Sequence, residues 1–215
     1  MNQNLAGEQC IACHSVSKDG SRIVGSINGG ASPWAVWDAR TGAKLYQSTA
    51  ASGFQAISPD GAYVIWRHWN SDTFGTDSPS ELRLSTATSD AVLATLSLPI
   101  NTPGGLSHPV WSPDGTTIAY GVRTAGNGLS YTAATLWTSK VSLGATPGFR
   151  DTKKIIDANA TYPVATYPTF SPCRVPRPSN AFVIASCTFC RFNTHGGPAN
   201  PERSYPHPHP HLGPS

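Results

Sequence analysis

Short apolar and β-branched stretches recur along the chain, each bounded by glycine or polar residues. Ser21-Arg22-Ile23-Val24-Gly25, Ala62-Tyr63-Val64-Ile65-Trp66 and Thr116-Thr117-Ile118-Ala119-Tyr120 form one set. Trp34-Ala35-Val36-Trp37-Asp38, Leu82-Arg83-Leu84-Ser85 and Thr135-Leu136-Trp137-Thr138 form a second, the first of these closing at Thr41-Gly42. Stretches of this length and composition predict strands. Helix content is expected to stay below roughly 10%. Ile23-Val24, Val64-Ile65 and Ile118-Ala119 should occupy equivalent strands.

Each stretch of the first set follows a Ser-x-Asp-Gly turn: Ser17-Lys18-Asp19-Gly20, Ser58-Pro59-Asp60-Gly61 and Ser112-Pro113-Asp114-Gly115. Proline fixes φ, aspartate bonds nearby backbone and glycine accepts positive φ, so Asp60 and Asp114 read as turn formers rather than catalytic acids. The serines are 41 and 54 residues apart. That is one four-stranded propeller blade with loop insertions.

These turns, with Val36-Trp37-Asp38…Thr41-Gly42, resemble the WD-like repeat of TolB-type β-propellers over about residues 14–172. The resemblance implies an all-β fold, a partial β-propeller of about three to four blades. It implies little about activity, because such propellers serve as binding platforms, enzyme scaffolds and accessory domains alike. The tryptophans Trp34, Trp37, Trp66, Trp69, Trp111 and Trp137 are expected to pack between blades.

A fourth copy opens at Tyr167-Pro168-Thr169-Phe170-Ser171-Pro172, parallel to His108-Pro109-Val110-Trp111-Ser112-Pro113, and then breaks off. Residues 173–215 hold 8 of the 19 prolines and 3 of the 5 cysteines. Such a switch in mid-motif reads as a disordered Pro-rich tail or a translated wrong frame. Cys187-Thr188-Phe189-Cys190 and the His207, His209, His211 alternation fall inside it and carry no separate reading. The domain expectation is a flexible segment over 1–13, a partial propeller over 14–172 and the tail over 173–215.

Charge changes the picture little. Residues 1–172 carry 11 basic and 11 acidic side chains, so the net +3 comes from the tail, with 4 and 1. No basic face argues for nucleic acid. No apolar run reaches the roughly 18 residues of a membrane span, and Met1-Asn2-Gln3-Asn4 does not read as a signal peptide.

The sharpest chemical signal is Cys10-Ile11-Ala12-Cys13-His14. Cys-x-x-Cys-His is the spacing at which two thioethers hold haem c while the histidine ligates its iron. Cys10, Cys13 and His14 are therefore candidate haem residues, with His14 as the metal ligand. A local Cys10–Cys13 disulfide or redox pair, and a structural match, remain open beside it. A strand follows the motif at once and the only methionine is Met1, so a cytochrome c domain is excluded and a second ligand would be His68 or His108.

Counting four residues back from each turn serine gives Cys13, Phe54, His108 and Tyr167, equivalent positions near the start of each blade's inner strand. His108 would then share one end of the central channel with the Cys10–His14 segment, as a weak distal candidate beside a plainer structural role. Asp72, Asp77 and Glu81 lie in one loop, but their spacing fits no established calcium loop. Gly105-Leu106-Ser107-His108-Pro109 is not a nucleophile elbow, and no phosphate loop or metalloprotease helix occurs.

The sequence is therefore read as part of a non-enzymatic propeller that binds a protein or small-molecule ligand at its face, in a periplasmic or extracellular setting. A haem-bearing electron-transfer propeller and the N-terminal propeller of a hydrolase are the alternatives.

Overall fold

The computed structural model describes residues 11–28, 32–68, 81–97, 105–127, 130–159 and 163–170. Cys10, Trp69, Asp72, Asp77 and the tail over 173–215 lie outside them. The described residues form twelve strands and no helix. Three four-stranded antiparallel sheets follow in chain order. The first joins β1 (Ile11–Val16), β2 (Arg22–Ile27), β3 (Ser32–Asp38) and β4 (Lys44–Ser52). The second joins β5 (Gln55–Ile57), β6 (Tyr63–Arg67), β7 (Glu81–Thr86) and β8 (Ala94–Ser97). The third joins β9 (Leu106–Trp111), β10 (Thr117–Asn127), β11 (Ser130–Ser142) and β12 (Gly148–Ile156). These are blades of a β-propeller, each a meander, with β1, β5 and β9 side by side.

The sheets stack through their faces, which explains why successive residues of a central strand are both apolar. In β6, Val64 and Trp66 join a core with Val24, Trp34 and Val36 of the first blade. Ile65, between them, joins Leu106, Ile118 and Tyr120 of the third. Trp34 and Trp66 lie 6.2 Å apart across the first interface. Across the second, the Trp111 indole donates to the Ala56 carbonyl at 3.2 Å. Removing either indole would cost about 3–5 kcal/mol by the usual large-to-small scale.

All three Ser-x-Asp-Gly segments adopt one turn. The serine hydroxyl donates to the aspartate at 2.5–2.6 Å and accepts the amide five residues on at 2.9–3.0 Å. The glycines have φ of 71–72°, which a side chain would strain. The first copy carries Lys18 where the others carry proline, and the substitution has a use. The Lys18 amide donates to the Pro59 carbonyl at 3.0 Å, and its Nζ reaches the Pro113 carbonyl at 3.4 Å. Arg22 Nη1 donates to the Gly61 carbonyl at 2.7 Å. One end of the inner strands is thus tied blade to blade.

Two boundaries differ from the sequence reading. β1 begins at Ile11, pairing with Ile27, so Ile11–Cys13 belong to the first sheet rather than to a leading segment. The strands β10 and β11 form a far longer hairpin than the stretches read around Ile118 and Leu136. After β12 the chain passes the end of β11, where Ala134 pairs in parallel with Val164.

Candidate functional site

The opposite end of the inner strands is built from bulges. In the first blade Ser15 pairs with Val24 and Ala12 with Ser26, so Cys13 and His14 together face the single residue Gly25. In the third, Val110 pairs with Ala119 and Ser107 with Gly121, so His108 and Pro109 together face Tyr120. Bulges of this kind re-aim side chains. The bulge residues Cys13 and His108 both have φ of 50°, and Tyr167, equivalent to them in the fourth copy, has 53°. A non-glycine residue there is uncommon and strained. Pro109 suits the bulge because it has no amide to leave unpaired. β5 pairs with β6 without a register shift, and Phe54 accepts the Arg67 amide regularly.

The four equivalent positions meet. The Phe54 ring lies 3.8 Å from that of His108, and the Tyr167 ring 4.0 Å from it. Tyr131 approaches His108 edge-on at 5.4 Å. Burial pushes the Tyr167 hydroxyl pKa up, and the nearby Cys13 thiol adds to the rise. The Cys13 carbonyl accepts from Gln55 Nε2 at 2.6 Å, which ties this corner to the second blade.

His108 is 7% exposed. Ser107 Oγ and Thr166 Oγ1 lie 2.9 and 3.0 Å from its Nδ1, while Nε2 is buried without a hydrogen-bond partner. Burial, and secondarily the charge of Arg67, push its pKa down to about 3. The ring is neutral at physiological pH. Thr166 sits close over the β10 backbone, where a Cβ on Gly121 would come within 3.3 Å of its hydroxyl.

Two arginines complete the end. Arg67 and Arg123 are 2% and 1% exposed. The Arg123 guanidinium lies over the Tyr131 ring at 5.4 Å. Burial lowers the pKa of both, and Arg67 lowers that of Arg123 further. Burial raises the Tyr131 hydroxyl, against the two guanidinium charges. The sequence reading missed Arg67, Arg123 and Tyr131. A charged residue ending each of the apolar runs Val64-Ile65-Trp66 and Ile118–Val122 was the available signal.

Of the haem candidates, Cys13 is half-buried in the β1 bulge and His14 is exposed beside it. Cys10 lies outside the described residues. His108 is buried. His68 packs edge-on to Trp66 at 5.8 Å. Cys13 and His14 are thus adjacent on β1, with His14 exposed. Among the described residues no group of three or more His, Cys, Asp or Glu is placed to hold a metal ion.

No protein-family model matches the chain, and no curated protein does. Solved structures similar to it include hydrazine synthase from Kuenenia stuttgartiensis, at 16% identity and a TM-score of 0.46 over 72% of this chain and 44% of that one. TolB from Acinetobacter baumannii is similar at 16% identity and a TM-score of 0.45, over 74% and 35%. The Dos1 propeller is similar at 14% and 0.48, over 75% and 37%. The chain spans less than half the length of each. The fold assignment rests on the three sheets themselves.

Proposed function

We propose that this chain is a non-enzymatic β-propeller module that binds a protein or small-molecule ligand in the cell envelope or outside the cell. The observation that carries the reading is the convergence of Phe54, His108 and Tyr167, from equivalent positions of successive repeats, on one end of the inner strands. Strained backbone gathered at one place marks function more often than stability. The turn carboxylates Asp19, Asp60 and Asp114 are occupied by turn hydrogen bonds, which supports binding over hydrolysis.

Haem attachment at Cys10, Cys13 and His14 is the competing reading, favoured by the exposure of His14 on β1. A periplasmically directed chain, coexpressed with a cytochrome c maturation system, decides between them. The binding-module reading expects a folded, colourless protein. A covalent red product, lost when Cys10 and Cys13 are changed to serine, would establish the electron-transfer reading instead.

A further inference from the structure

Past β12, residues 163–167 lie across the third blade instead of running along one of its strands. They touch β11 at Ala134, β10 at Gly121 and β9 at His108. On β11 the Ala134 amide donates to the Pro163 carbonyl at 2.9 Å, and the Ala165 amide donates to the Ala134 carbonyl at 3.0 Å. The bridge they make is parallel and isolated, on a sheet whose own strands are antiparallel. A stretch that crosses strands cannot lengthen such a bridge into a ladder, and Pro163 and Pro168 carry no amide to add to it. Thr166 Oγ1 lies 3.0 Å from His108 Nδ1, and the Tyr167 ring lies 4.0 Å from the imidazole. Ala165 and Thr166 are buried, whereas Tyr167 is 48% exposed on left-handed backbone. Docking therefore holds a strain that release would remove.

We propose that 163–167 is a strap that opens and closes on the third blade as a unit of its own, with His108 Nδ1 as its latch. Closed, the Thr166 hydroxyl bonds the latch and Tyr167 covers one side of the imidazole. Open, Tyr167 relaxes to ordinary backbone, and the imidazole, Gly121 and the end of β11 are uncovered while the ladders joining β9 to β12 stay whole. Opening of this kind takes less free energy than unfolding the blade, because it breaks one bridge and one side-chain bond. The strap goes beyond the binding-module reading, since it sets when the bulge end is uncovered and works with or without a ligand.

Native-state hydrogen exchange of the full chain tests it. The Ala134 and Ala165 amides take their protection from the bridge, whereas the Ser112 amide bonds the Thr117 carbonyl and the Val141 amide the Thr116 carbonyl within the blade. Ala134 and Ala165 should share one protection factor, at least about tenfold below those of Ser112 and Val141, a gap of about 1.4 kcal/mol. It should depend little on urea, because opening exposes little surface. Equal protection and equal urea dependence at all four amides would mean that the stretch leaves only when the blade unfolds, and would overturn the proposal. Thr166→Val keeps the branched shape and removes the hydroxyl. It should lower the protection of Ala134 and Ala165 by about a further tenfold and leave Ser112 and Val141 unchanged, whereas Thr166→Ser should change it by less than about threefold. No effect of Thr166→Val, or the same effect at all four amides, would overturn the assignment of His108 as the latch.

Discussion

At the turn end of the inner strands, the serine, aspartate and glycine of each motif bond within the motif, and Lys18 and Arg22 bind neighbouring turns. At the bulge end, four residues earlier, Cys13, His108 and Tyr167 hold left-handed backbone, and His108 carries a buried nitrogen with no partner. Both ends belong to the same strands and repeat with the same period. One end repeats its residues as well as its geometry, whereas at the other the side chains change from thiol to phenyl, imidazole and phenol, and Phe54 lacks the left-handed backbone of the other three. A stabilising device tolerates copying, and a recognition surface needs difference.

The comparison can be broken first at glycine. Gly61 has φ of 72°, and a Cβ there would sit 3.0 Å from Arg22 Cδ. Gly61→Ala should destabilise the chain by about 2 kcal/mol, the sum of left-handed strain and a displaced Arg22. Urea unfolding measures it. A loss below a few tenths would mean that the turn end is not what holds the blades.

Ser112→Ala removes a hydroxyl that donates to Asp114 and accepts from Thr117. The expected loss is about 1–2 kcal/mol. Partial burial would raise the Asp114 pKa, but the Ser112 and Thr116 hydrogen bonds outweigh it and hold it below 3.8. A depressed carboxylate stabilises the fold above its unfolded pKa, and that stability is lost as pH falls through the folded value. The variant should therefore lose less stability than the parent on acidification below about pH 4. An identical acid profile would show that Asp114 draws nothing from the turn.

Legibility divided along the same line. The Ser-x-Asp-Gly turns were readable because their bonds span five residues or fewer, so the residue types alone imply the geometry. The equivalence of Cys13, Phe54, His108 and Tyr167 came from counting back along the repeat. Their left-handed backbone did not, since nothing in Cys13-His14 or Tyr167-Pro168 announces a bulge. Arg67 belongs to the second blade, and Arg123 meets Tyr131 across the β10–β11 hairpin of the third, whose length no local spacing announces. The start of β1 at Ile11 was hidden by the motif that overlaps it.

Lys18→Pro restores the residue of the other two turns and removes both inter-turn bonds. It should cost about 1 kcal/mol, and Lys18→Met, which keeps the amide, less than half of that. Equal losses would place the effect in the side chain alone. At the other end, Cys13→Gly relieves a left-handed residue while loosening the unfolded chain, and the two effects should cancel to within about 0.5 kcal/mol. A large loss there would make the bulge end structural after all.

The most direct measurement is an NMR titration of His108 in the folded chain. Burial among Phe54, Tyr131 and Tyr167 requires the ring to stay neutral until about pH 3, against 6.5 for a free imidazole. Since the unfolded chain takes up a proton first, the stability that depends on neutral His108 is whole above about pH 6.5 and drains away toward pH 3, by at most about 1.4 kcal/mol per pH unit. A His108 signal flat from pH 8 to about pH 4 would confirm that the repeat positions converge as described. A midpoint near 6.5 would mean an exposed ring, and the bulge end would not exist as a site.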